Sequence, residues 1–95
     1  MSKWSVLSNH GAVLAVIAQH KVIKATDIAS RLELTERSVR RIIADLYEDG
    51  YITKKYEGGV NHYKIETQKT LRWKAQQNVT IKELLKALGL NVDEE

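Results

Sequence analysis

Three arginines lie close together, at Arg37, Arg40 and Arg41, with the hydroxyl residues Thr35 and Ser38 among them. A guanidinium carries five N–H donors in a planar fork, which matches the paired acceptors of a guanine edge or the oxygens of a phosphate. Short hydroxyl side chains beside it suit close approach to a sugar-phosphate backbone. The chemistry on offer is therefore recognition of a polyanion, without bond making. A second set of cations and polar residues, Lys54, Lys55, Asn61, His62 and Lys64, follows within a short stretch. No glycine-rich phosphate loop, no nucleophile beside a base and no paired carboxylates in a cleft are expected, so the sequence does not read as an enzyme. No cofactor or metal is expected either. The chain has no cysteine and three histidines. His10 and His20, ten residues apart on one helix, are too far along the axis to share an ion.

The arginines need an element to hold them. Residues 35–49 read as one amphipathic helix, with Val39, Ile42, Ile43 and Leu46 on a single apolar stripe. Arg37, Arg41, Ala44 and Glu48 then face the other way, flanked by Arg40 and Ser38. Thr35 fits the N-cap and Gly50 the left-handed residue after the last turn. The charge order opposes the helix dipole, with cations in the first half and Asp45, Glu48 and Asp49 in the second. Glu36 alone obeys it. Such an order suits a helix whose first half enters a DNA major groove. The alternative is a solvated face stapled by Glu36–Arg40 and Arg41–Asp45 pairs.

Trp4 and Leu7 lead into Ser8, an N-cap for a helix over 9–19 that buries Val13, Leu14, Ile17 and Ala18. Residues 21–25 are short and β-branched, fit for a connector or one small strand. A second helix starts at Ala25 or Thr26, with Thr26 as cap, and ends near Glu33. Leu34 plugs the corner before Thr35, completing a helix-turn-helix. A glycine is common in that turn. Glu33 predicts either a turn that avoids the left-handed region or strain there.

After Gly50 the apolar period falls to two. Residues 51–56 and 62–65 predict a hairpin joined by a loop over 57–61, with Ile52, Tyr63 and Ile65 facing the helices. A hairpin in this place is the wing of a winged helix. Residues 67–78 read as a basic linker over the domain, with Leu71 and Trp73 as anchors. Thr80 and Glu83 form a capping box that opens a helix with Ile81, Leu84, Leu85 and Leu88 on one stripe. That stripe must be covered, by the first helix or by a second subunit. Residues 91–95 are an acidic tail expected to be disordered.

Composition bounds the answer. At 95 residues and 43% apolar, the chain supports one core. The fold class expected is mainly α with a small β-hairpin: a winged helix-turn-helix over 1–66 of three helices and a wing, a linker over 67–79 and an added C-terminal helix over 80–90. No run suits a membrane span and no signal pattern opens the chain, so a cytoplasmic protein is expected. The net charge of +3 is modest. It is concentrated at the arginines, at Lys54–Lys55 and from Lys69 to Lys74, which favours an anionic partner.

The sequence resembles the small bacterial winged-helix transcriptional regulators described as MarR-like. The matching residues are Trp4, Leu7, Asn9 and His10, then Leu34, Thr35, Glu36 and Arg37, then Ala44, Asp45 and Leu46. Gly50 and Tyr51 follow, with Asn61, Tyr63 and Ile65 in the wing and Thr80, Ile81, Glu83, Leu84 and Leu85 at the end. The resemblance implies a winged helix that binds DNA, commonly as a homodimer, with Thr35, Arg37, Ser38 and Arg41 facing the groove and the wing around Asn61. The expected partner is double-stranded DNA, contacted by Thr35, Arg37, Ser38, Arg40 and Arg41 from the helix and by Lys54, Lys55, Asn61, His62 and Lys64 from the wing. Ile81, Leu84, Leu85 and Leu88 are the expected dimer surface. The wing tip departs from the family pattern, carrying Glu57 and two glycines where arginines are usual. A protein-interaction module docking an acidic partner is the alternative function. RNA is less favoured, because few aromatics are available for stacking.

Overall fold

The structure, a computed structural model, describes residues 6–71 and 79–90. Its elements run α1 (Asn9–His20), α2 (Ala25–Leu32), α3 (Glu36–Glu48), β1 (Ile52–Glu57), β2 (Val60–Ile65) and α4 (Ile81–Ala87). The first three helices pack on one another, and β1 and β2 form an antiparallel hairpin against them. This is the winged helix-turn-helix expected, with its extra C-terminal helix. Among the described residues no helix is long and apolar enough to cross a membrane.

The apolar stripes converge as their periods require. Val13, Leu14 and Ile17 of α1 meet Ile28 and Ala29 of α2 and Val39, Ile42, Ile43 and Leu46 of α3 in one cluster. Ile52, Tyr63 and Ile65 close it from the hairpin. Burying each large aliphatic residue contributes about 1.5–3 kcal/mol over leaving it in water, so the core holds α3 rigidly from beneath.

The turns are less regular than the stripes. Ser8 caps α1 by accepting from the Gly11 amide at 3.2 Å. Lys21 ends that helix at φ 63° without a glycine. Lys24, not Thr26, is the N-cap of α2, and no side chain caps it; Thr26 lies inside the helix. Glu33 takes the left-handed conformation, φ 57° and ψ 43°. Its amide and that of Leu34 both donate to the Ala29 carbonyl, the latter at 2.9 Å. Of the two expectations for this turn, the strained one holds.

The hairpin is tighter than its sequence suggested. Glu57 pairs with Val60, leaving only Gly58 and Gly59 in the turn. Both have positive φ, 65° and 84°, the conformation whose twist matches the flanking strands. Asn61 is therefore a strand residue opposite Tyr56 rather than a loop residue. The connector after α1 is tied to the hairpin by a single bridge: Val22 pairs with His62, and the Tyr63 amide donates to the Lys21 carbonyl at 2.8 Å.

The start of the expected linker is built into the fold. Thr67 is buried, and its carbonyl accepts from the Lys82 amide at 2.9 Å. The Lys69 carbonyl accepts from Ile81 and the Leu71 amide donates to Val79, each at 2.8 Å. These bonds fix α4, whose capping box joins Thr80 and Glu83 as expected. Ile81 and Leu85 of its stripe enter the chain's own core at 1% and 0% exposure, while Leu84 is half-buried and Leu88 is 41% exposed. The surface left for a second subunit is thus Leu84 and Leu88. Trp4, Trp73 and the acidic tail lie outside the described residues.

Candidate nucleic-acid interface

The capping chemistry at the start of α3 decides what its first turn presents. Thr35 Oγ1 accepts from the Ser38 amide at 3.0 Å and donates to Ser38 Oγ at 2.9 Å. The two hydroxyls expected at the groove therefore lie side by side at the helix N-terminus, where the dipole is positive.

The three arginines are treated differently. Arg40 Nε donates to Glu36 Oε2 at 2.8 Å, and its Nη2 reaches the same oxygen. The other pair weighed on sequence, Arg41 with Asp45, does not form. Asp45 Oδ2 instead bonds His10 Nε2 at 2.8 Å, across the contact between α1 and α3. Arg37 and Arg41 are exposed and have no hydrogen bond or ion pair among the described residues. Two full cations thus stand side by side on the outer face of a rigid helix. Arg40 lies on the flank toward the hairpin and Asp45 on the flank toward α1.

The register of the hairpin splits the wing residues into two sets. Directly opposed residues share a face, so Lys54 and Tyr56 of β1 lie with Asn61 and Tyr63 of β2, on the side of the buried Ile52 and Ile65. Lys55, His62 and Lys64 lie on the other face. Lys54 Nζ stands 5.1 Å above the Tyr47 ring centroid, so it bridges β1 to the exposed end of α3. On the outer face Lys55 Nζ is 4.0 Å from Glu57, and His62 Nε2 is 3.2 Å from the Glu57 carbonyl. The acid at the wing tip therefore partly offsets the cation beside it.

Between the start of α2, the flank of α3 and the inner face of the hairpin is an open cleft of about 450 Å³. Lys24, Thr26, Arg40, Lys54, Asn61 and Tyr63 line it. The Asn61 amide donates to the Tyr63 hydroxyl at 3.5 Å. Burial pushes the Tyr63 phenol above its ordinary range, and the Asn61 bond and the Arg40 charge pull it part of the way back. Sequence reasoning missed Lys24 and the cleft role of Tyr56, which is 73% exposed at the rim. The alternation Lys54, Tyr56 was the available signal, since it places both on one strand face.

A second, more apolar groove of about 810 Å³ lies on the other flank of α3. Leu7, Leu14, Leu46, Leu71 and Leu84 line it, with His10 and Asp45 also at its wall. Among the described residues no three His, Asp or Glu side chains converge to hold a metal ion.

Residues 5–93 match the family model described as TFIIE alpha subunit. No curated protein matches the chain. Among solved structures, T. potens IscR superimposes with a TM-score of 0.59 at 16% identity, over 88% of this chain and 88% of that chain. At that identity the likeness is one of fold. The winged-helix part of the sequence resemblance therefore holds, and the family that the chain matches is TFIIE alpha.

Proposed function

The chain belongs to the TFIIE alpha subunit family, and from that premise we propose that it is a double-stranded DNA-binding protein of transcription that lays the first half of α3 in the major groove. The observation that carries this reading is the pair Arg37 and Arg41, exposed and unpaired among the described residues on a helix braced from below. Two uncompensated cations on one helix face destabilise an isolated chain slightly, and a polyanion reverses the sign. In this reading Arg41 and Arg37 contact base edges or phosphates. The Thr35 and Ser38 hydroxyls meet the backbone at the helix N-terminus. Lys54 faces the same side as α3, whereas Lys55, His62 and Lys64 serve only a duplex that also reaches the outer face of the wing. A homodimer through Leu84 and Leu88 is part of the proposal and independent of the DNA contact. Selection of a preferred duplex by the purified protein, followed by Arg41→Ala, tests the assignment. The variant loses about 1–3 kcal/mol of binding if Arg41 reads a guanine, and wild-type affinity in the variant removes it.

The family is one of subunits of a larger assembly, which favours a second reading in which the cationic face docks an acidic protein. Random-sequence duplex separates the two. Retention that falls steeply with salt supports DNA, and no retention at low salt supports the protein partner.

A further inference from the structure

Glu36 is the only acid in the cationic half of α3. A carboxylate at that end repels a nucleic-acid backbone, so in a DNA-binding helix its presence calls for a reason beyond the helix dipole. Its contacts supply one. A single oxygen, Oε2, takes both Nε and Nη2 of Arg40. The grip fixes the guanidinium on the Arg40 flank of α3 and leaves three of its five N–H groups for another acceptor. The cleft of about 450 Å³ lies on that side. Its cations come from three separate elements: Lys24 ahead of α2, Arg40 on α3 and Lys54 on β1. No acid is among its described lining residues, and the Thr26 hydroxyl and the Asn61 amide add polar groups.

Cationic residues that line one volume from three separate elements suit a group with several outward oxygens. One planar carboxylate is satisfied by a single arginine fork. We propose that this cleft seats a phosphodiester group, and that Glu36 is the positioning residue that aims Arg40 at it. The inference rests on the DNA reading for its natural source, the backbone of the strand beside α3, and it adds Lys24, Thr26 and Glu36 to the interface. Arg40 thereby contacts backbone from the flank of α3, beside Arg37 and Arg41 on its outer face.

The test is a titration of the isotope-labelled full chain with the dinucleotide d(TpT), followed through backbone amide signals, beside salt-dependent binding of a random-sequence duplex. The dinucleotide shifts Lys24, Thr26 and Asn61 in the wild type. Glu36→Ala abolishes these shifts although it makes the chain more positive, and Glu36→Gln, which keeps one acceptor oxygen, retains them in part. Arg40→Ala lowers the salt slope for duplex by about one. If Glu36→Ala binds d(TpT) more tightly than wild type, Glu36 is a repulsive acid and its positioning role is overturned. If d(TpT) leaves the cleft signals unmoved and Arg40→Ala keeps the wild-type slope, the seat is overturned while duplex binding itself stands. If the cleft signals move with d(TpT) but no duplex is retained, the seat is supported as a free-nucleotide site and the DNA reading fails. Inorganic phosphate shifting the same signals supports recognition of the phosphate group itself.

Discussion

Asp45 bonds His10 of α1 at 2.8 Å instead of Arg41, one turn back on its own helix. An exposed side-chain hydrogen bond of this kind adds little to stability, about 0.5–1.5 kcal/mol. Its larger effect is on charge placement, because it keeps a carboxylate from neutralising Arg41. His10→Ala releases Asp45 to form the i, i+4 pair, worth about 0.3–0.5 kcal/mol. Duplex affinity of the variant is therefore reduced by a similar amount at low salt. An unchanged affinity in a binding titration means that Arg41 is not held free by this contact.

Lys54 shares a strand face with the buried Ile52 and stands over Tyr47, which turns it toward α3. Lys54→Ala is expected to lower the slope of log affinity against log salt by about one. Measured on random-sequence duplex, an unchanged slope takes this lysine out of the interface.

Glu33 is held left-handed at φ 57°, where a side chain costs about 1–2 kcal/mol. Glycine removes that strain but loses more freedom on folding, by about 0.5–1 kcal/mol. Glu33→Gly is therefore expected to stabilise the domain by up to about 1.5 kcal/mol, raising Tm by about 4–8 °C per kcal/mol. Calorimetry showing a lower Tm contradicts the strain.

Leu85 is fully buried and Leu88 is 41% exposed, three residues further along the same stripe. Leu85→Ala should cost about 2–5 kcal/mol in chemical denaturation. Leu88→Ala should stay within about 0.5 kcal/mol for the folded monomer. Sedimentation decides whether Leu88 has a second duty: Leu88→Glu converts a dimer to monomers if the proposed surface is used, and an unaltered dimer places the subunit contact elsewhere.

The sequence made the helices and the hairpin legible because burial writes a period into the chain. Val39, Ile42, Ile43 and Leu46 announce α3, and the alternation through Ile52, Tyr63 and Ile65 announces the wing. The ends of elements were legible where a cap has a fixed chemistry, as at Ser8, Thr35 and Thr80. They were not legible at Lys24, which caps α2 without a side-chain bond, or at Lys21, which turns without glycine. Gly58 and Gly59 were placed correctly in a turn, but nothing local fixed its length; cross-strand pairing of Glu57 with Val60 did. The same limit governs the candidate site. Sequence found the arginines but left both i, i+4 pairs open, and the choice rests on His10, thirty-five positions from Asp45 in the chain. The cleft joins Lys24, Arg40 and Lys54 through tertiary packing that no short-range pattern encodes.

The most direct test compares wild type with the Arg37→Ala, Arg41→Ala double variant on random-sequence duplex over a range of salt. Wild-type affinity should fall linearly in log–log form, and the variant should lose about two units of slope, one for each phosphate-range cation removed. Equal slopes for the two proteins, or no wild-type binding even at low salt, would contradict the claim that these arginines exist to meet DNA.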